Sequence, residues 1–304
     1  MKEFKMDFYS PTNLKSYNLD ESMRYQLSIL GTLDVFTRLH SENVANLTCR
    51  ICEYMHMKSY FTIYCTVCAY LHDIGKQFIP PEILQKPGKL TDEEYEKIKT
   101  HTTIGYDMCM RDEKLRQYSA GAIYHHEALN GTGYPKGLSA KDIPLTGQII
   151  RVADEFDAIT SKRLYKSHIG VCDTLKILID ETKPNPDISV KFGKVNPKIV
   201  KALIKVVIDD TEYEHYNLSL YIEYLKGEIN RLKQIKEYIS QMNNCKDEND
   251  KEYYAILINK AFEPGENSEN LEQVMFEYEQ ALSIKQDSLE KLYQELKFIK
   301  KLKV

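Results

Sequence analysis

Apolar residues recur at steps of three and four along nearly the whole chain, and runs that alternate apolar with polar residues are scarce. Helix faces repeat with that period, whereas a half-buried strand needs strict alternation, so the expected fold class is all-α. Met23 to Met57 reads as one long helix or two in succession. Tyr60 to Leu71 reads as another, ending at His72-Asp73-Ile74-Gly75. Thr91 before DEEYEKIK is an N-cap signal followed by an acidic first turn. A further helix is expected from about Glu113 to the adjacent pair His125-His126. Glycine and proline then dominate from Asn130 to Thr146, which marks a loop, and GQIIRVADEFDAIT resumes the helical pattern.

NPKIVKALIKVVIDD is expected to close this compact region. Beyond about Asp210, Leu218, Ile222, Leu225, Ile229 and Leu232 alternate steps of four and three, and Leu289, Leu292, Leu296 and Ile299 do the same. These are coiled-coil-like seams. The expected organisation is an N-terminal segment 1–30, a catalytic domain 31–210, and a helical region 211–304. The last packs on the catalytic region or offers a surface for a homodimer or protein partner.

Composition narrows the function. With 28% charged residues and a formal charge of -4, there is no basic excess of the kind that grips a DNA or RNA duplex, so a nucleotide ligand should be small. No segment approaches the roughly 18 consecutive apolar residues that span a bilayer, and none has the form of a secretion signal. A cytoplasmic location without membrane attachment is the expectation. Seven cysteines, an odd number, suggest reduced thiols. Cys49-x-x-Cys52 and Cys65-x-x-Cys68 have zinc-like spacing, but both lie in apolar helical patterns without glycine turns, and they read as buried thiols.

The chemistry-bearing residues are ordered along the chain: His40, then His72-Asp73 with Lys76, then His101, His125-His126 and Asp154. Five of the eight histidines fall in this set. Imidazoles with carboxylates, and no thiolate, suit divalent transition metals such as iron or manganese better than a structural zinc site. Asp73 has two oxygens and can bridge two cations. Neighbouring helical residues such as His125 and His126 point about 100° apart and can serve different metals.

The stretches HDIGK, IPPEILQKPGKLT, HTTIGY, HHEALNGTGYP and VADEFDAIT resemble the HD-GYP family of phosphodiesterases, a branch of the HD superfamily, from about Gly31 to Asp210. The resemblance implies an HD-type helical bundle with a GYP-type extension, a non-haem iron or manganese centre, and hydrolysis of cyclic di-GMP to pGpG or onward to GMP. It implies that His40, His72, Asp73, His101, His125, His126 and Asp154 bind metal, with Asp73 and Lys76 serving catalysis. It places Lys76 near the scissile phosphate, Tyr134 against a guanine or ribose, and Arg163 and Lys166 on the phosphates. Asp157 would contact a ligand residue or the substrate.

Two metals about 3.5–4 Å apart can hold a bridging water, lower its pKa towards about 7 and present hydroxide to the phosphorus. Lys76 would offset charge on the non-bridging oxygens. Some members of the family hold a third metal through a glutamate one turn before the first histidine. Phe36 occupies that place here, so two metals are expected. Asn130 stands where aspartate is common. Two other readings stay open: a phosphodiesterase for the hybrid cyclic GMP-AMP, and a signalling adaptor that binds ligand with little turnover.

Overall fold

The computed structural model describes residues 34–161, 169–184 and 191–304. Among them the elements are helices, with no strand and one isolated bridge between Asn130 and Ser139. The chain divides into two compact units, one of residues up to Ile208 with Lys301–Val304, the other Asp209–Lys300.

In the first unit, helix α1 (Val35–Tyr54) begins where the Asp34 carboxylate accepts the backbone N–H groups of Phe36 and Thr37, both at 3.1 Å. Its inner stripe carries His40, Val44, Leu47 and Ile51 at helical spacing, all buried. α1 packs along α2 (Ser59–Leu71), which leads into a 3-10 turn at Ile74–Phe78. After α3 (Pro81–Leu84), α4 (Asp92–Lys99) starts with the expected cap. Thr91 Oγ1 accepts from Glu94 N, and the Glu94 carboxylate accepts from Thr91 N, a reciprocal capping box.

α5 (His101–Arg111) follows, then a 3-10 turn at Arg116–Tyr118 and the short α6 (Ala120–Tyr124). The unbroken helix expected from Glu113 does not form. The Asp112 side chain instead accepts from the N–H groups of Lys114 and Leu115, competing with a helical ladder. α7 (Leu145–Thr160) packs on α1 and α6, and α8 (Val171–Glu181) packs on α7. The core between these helices holds Ile51, Leu71, Ile149, Ile150, Leu175 and Leu178, each worth about 1.5–3 kcal/mol when fully buried. Cys49, Cys52, Cys65 and Cys68 are buried there too, with Cys65 Sγ 3.4 Å from Thr146 Oγ1.

The segment expected to close the compact region does not end at Asp210. α9 runs from Pro197 to Asn244, because no proline or turn signal follows Asp210 and apolar residues keep recurring at helical steps. In the second unit the later part of α9 is joined by α10 (Glu248–Ala261) and α11 (Leu271–Ile299). Leu232, Ile235, Ile258 and Leu271 form its core, with Tyr238, Val274 and Met275 packed around them. Ion pairs Glu212–Lys300 and Lys236–Glu272, each 2.6 Å, show that α9 and α11 run antiparallel. Arg231 grips both oxygens of Glu266 at 2.7 and 2.8 Å and donates to the Ala261 carbonyl. Of the predicted seams, Ile222, Leu225, Ile229, Leu232, Leu296 and Ile299 are buried within the chain. No described helix is long and apolar enough to cross a membrane.

Candidate metal centre

The main chain orients three of the imidazoles. His72, at the end of α2, donates its Nδ1–H to the Ala69 carbonyl at 2.6 Å. His101, at the start of α5, donates to Ile98 at 2.6 Å, and His125, just after α6, donates to Gly121 at 2.8 Å. An Nδ1–H held in this way leaves the Nε2 lone pair free to act as a metal ligand. Close backbone contacts set the elements that carry them. A Cβ on Gly75 would lie 2.0 Å from the His101 carbonyl oxygen, and one on Gly121 would lie 2.0 Å from that of Cys68. Only glycine lets these segments touch.

The Nε2 atoms converge on Asp73. Asp73 Oδ1 faces His101 Nε2 at 3.3 Å and His125 Nε2 at 3.9 Å; Oδ2 faces His72 Nε2 at 3.3 Å and His40 Nε2 at 3.7 Å. Ligands about 2.0–2.2 Å from one ion stand roughly 3–4 Å from each other, and these separations fall in that range. The donor set also carries unmet demand. His72 Nε2 and Asp73 Oδ1 are fully buried without a hydrogen-bond partner, and the Nε2 atoms of His101 and His125 meet at 3.1 Å although their Nδ1 atoms carry the protons. Buried polar atoms without partners are costly, and a cation would satisfy all of these at once.

Among the described residues, three overlapping groups have ligand atoms within 4.8 Å of one another: His101, His125 and His126; His40, His72 and Asp73; and His72, His125 and Asp154. The residues therefore fit divalent metal. Asp73 belongs to one group and touches the histidines of another, as a bridging carboxylate must. Asp154 approaches His40 Nε2 at 2.9 Å and His126 Nδ1 at 3.8 Å. Lys76 Nζ contacts Asp73 Oδ2 at 2.5 Å. Asp157 is buried with both oxygens engaged, by His40 Nδ1 at 2.7 Å and Asn43 Nδ2 at 3.1 Å. That geometry makes it a support for His40 rather than a group facing open space. Arg163 and Lys166 lie outside the described residues.

Electrostatics follow burial. Desolvation holds His101 at about 4, His126 at about 3 and His125 well below the ordinary value of 6.5. Burial would lower His40 as well, but its hydrogen bonds to Asp154 and Asp157 outweigh that and raise it to about 9. Asp73 is held well below the carboxylate range despite burial, chiefly by the Lys76 ammonium.

The signs make a test of the metal-free protein. Below pH 6.5 the unfolded chain takes up protons that folded His101, His125 and His126 refuse, so stability falls as pH drops from 6.5 towards 4. The His40 contribution is fully present below 6.5 and is lost as pH rises through about 9. The melting temperature of metal-free protein is therefore expected to peak near neutral pH and fall on both sides. A steady rise from pH 7 to 4 would contradict this arrangement.

The loop after His126 is held by a residue the sequence reading passed over. Glu127, 1% exposed, accepts from Lys136 N at 2.7 Å and from Leu138 N at 2.8 Å. Tyr134 N donates to the His126 carbonyl at 3.1 Å, as does Arg151 Nη1, and the Tyr134 ring stacks on His126 at 4.6 Å. A Cβ on Gly133 would lie 2.3 Å from Ala128 N, so the loop is folded tightly over the residues that carry His126. Glu127→Ala removes both acceptors. It is expected to cost about 2 kcal/mol of stability and to raise KM while metal content holds, with Glu127→Gln intermediate. Unchanged melting and KM would rule out the bracing role. The signal in the sequence was a carboxylate directly after two histidines, whose partners lie nine and eleven residues on.

A family model described as HD domain matches residues 26–189. A cyclic di-GMP phosphodiesterase of Thermotoga maritima is 39% identical over 193 residues, covering 61% of this chain and 50% of that protein. A cyclic di-GMP phosphodiesterase of Pseudomonas aeruginosa is 32% identical over 182 residues, 59% of this chain and 41% of that one. A 3'3'-cGAMP-specific phosphodiesterase of Vibrio cholerae is 28% identical over 208 residues, 66% and 44%. The chain spans half or less of the length of these relatives. A solved HDG"Y"P protein of Bdellovibrio bacteriovorus aligns over 66% of each chain at 20% identity, with a TM-score of 0.47. With its His72-Asp73 pair, its His125-His126 pair and its Gly133-Tyr134-Pro135 loop, the chain belongs to the HD domain family, in its HD-GYP branch.

Proposed function

We propose that the protein is a phosphodiesterase that opens cyclic di-GMP to the linear dinucleotide pGpG, GMP, or both, with two divalent ions, iron or manganese, held by His40, His72, Asp73, His101, His125, His126 and Asp154. The observation that carries this reading is the convergence of two groups of buried ligand atoms on the two oxygens of Asp73. Bound cations supply Lewis acidity and make water a nucleophile near neutral pH.

The side chains do the rest. The attacking oxygen bonds to phosphorus, the bond from phosphorus to the 3'-oxygen breaks, and the proton ends on that oxygen, leaving a 5'-phosphate. Asp73 and the imidazoles of His72, His101 and His125, held by main-chain carbonyls, would hold the ions. Lys76, resting on Asp73 Oδ2, offers its ammonium to a non-bridging phosphate oxygen and stabilises the charge that builds there. Asp157 and Asn43 keep His40 oriented. Tyr134, stacked on His126, sets a wall for the nucleotide. Arg163 and Lys166 complete the phosphate-binding side of this reading.

Protein purified anaerobically with iron or manganese, incubated with cyclic di-GMP and followed by chromatography, is expected to yield linear product, and Asp73→Ala none. A second substrate reading, cyclic GMP-AMP, is favoured by the likeness to the cGAMP-specific protein. It takes over if metal-loaded protein leaves cyclic di-GMP intact and opens the hybrid.

A further inference from the structure

Helix α4 brings three side chains to the Tyr134 wall that the metal-ligand set does not use. Lys99 Nζ lies 4.7 Å from the Tyr95 ring centroid and 5.5 Å from that of Tyr134. It also bonds Glu96 Oε1 at 2.6 Å. A lysine on a helix surface normally extends into water, yet the Lys99 side chain is only 27% exposed, while Glu96 beside it is 68% exposed. The ammonium is therefore held between two aromatic rings by an open carboxylate. Tyr134 itself stacks on His126, so an unbroken series of contacts joins the ligand set to this cation.

We propose that Lys99 and Glu96 read a guanine of the substrate, with Tyr95 and Tyr134 bounding the base; this rests on the cyclic dinucleotide reading above. Glu96 already balances the charge of Lys99, so the ammonium is a poor anchor for a phosphate. It keeps two further N–H donors for neutral acceptors. Guanine presents O6 and N7 acceptors where adenine presents an N6 amino donor, and the guanine O6 adjoins donor N–H groups that the Glu96 carboxylate can accept. The two free N–H donors of Lys99 match the adjacent O6 and N7 acceptors of guanine, whereas adenine sets its N6 amino donor beside N7, and that donor opposes the ammonium. The exposed ring of Tyr95, 46% accessible, gives the base a face to stack on.

The test compares kcat/KM for cyclic di-GMP and cyclic di-AMP in metal-loaded wild type, Lys99→Met and Lys99→Arg. Wild type is expected to prefer cyclic di-GMP, and Lys99→Met to reduce that preference about tenfold, the low end for a paired base contact because the site is open to solvent. Lys99→Arg keeps N–H donors and should retain most of it. An equal fall on both substrates, or an unaltered preference, overturns the proposal. If wild type opens neither of these nor cyclic GMP-AMP, the phosphodiesterase reading fails by itself. Calorimetric titration with GMP and AMP then decides base recognition: a preference for GMP that Lys99→Met removes sustains it, and equal binding by wild type overturns it.

Discussion

Asp73→Ala is expected to lower turnover of the cyclic dinucleotide about a thousandfold or more, the upper end of what one lost electrostatic contact costs, and to strip the centre of bound metal. The reason lies in how its oxygens divide. Oδ1 faces His101 and His125, and Oδ2 faces His72 and His40, so a single truncation takes a carboxylate oxygen from both groups of imidazoles. Asp73 is also the contact that balances Lys76, and its loss leaves that ammonium beside a buried histidine cluster. Because Ala at a buried position can also disturb folding, Asp73→Asn, which keeps the volume, is the companion variant. Metal content by elemental analysis and turnover by chromatography should fall together in both. Full metal occupancy with wild-type turnover in Asp73→Asn would remove Asp73 from the centre.

Gly75→Ala is expected to have the second largest effect, although it adds one methyl group. That methyl would meet the His101 carbonyl oxygen at 2.0 Å and Gly105 N at 2.7 Å. Both are backbone atoms, which no rotamer change can move aside. The 3-10 turn after Asp73 and the start of α5 would have to separate, and with them Asp73 and His101. Overpacking of this kind costs about 3 kcal/mol, read as a fall in the denaturant midpoint. Metal retention should fall as well, because the carbonyl that must move belongs to His101. A variant as stable and as well loaded as wild type would show that the two backbones do not meet. Gly170→Ala, where an added Cβ meets nothing within 4 Å, is the matched control.

The histidines and aspartates of the centre were legible in the sequence because each sits in a short stretch whose neighbours are characteristic, such as His72-Asp73 and His125-His126. Their grouping around the two oxygens of Asp73 was legible only as an expectation about bridging. The cap at Thr91 was readable because a capping box is local chemistry, complete within four residues. Two helix boundaries were not. Asp112 turns its carboxylate onto the backbone two and three residues ahead, where periodicity alone continued a helix, and nothing after Asp210 stops α9. Glu127 and Lys99 escaped notice for another reason. Glu127 is met by backbone amides of a loop whose path periodicity does not give, and Lys99 has Tyr95 and Glu96 on its own helix but meets Tyr134 only in the folded chain, so each looked like ordinary solvated surface.

The anchoring of His72, His101 and His125 by the carbonyls of Ala69, Ile98 and Gly121 bears on how such a protein can change over generations. Every residue type carries a carbonyl, so the anchoring itself does not depend on the side chains at positions 69 and 98, and at Ala69 it is burial in the core that restricts the choice. A centre oriented by main chain is inherited with the helix ends that form it. Residues off that framework, such as Lys99 and Glu96 on α4, can then change without disturbing the orientation of the three imidazoles.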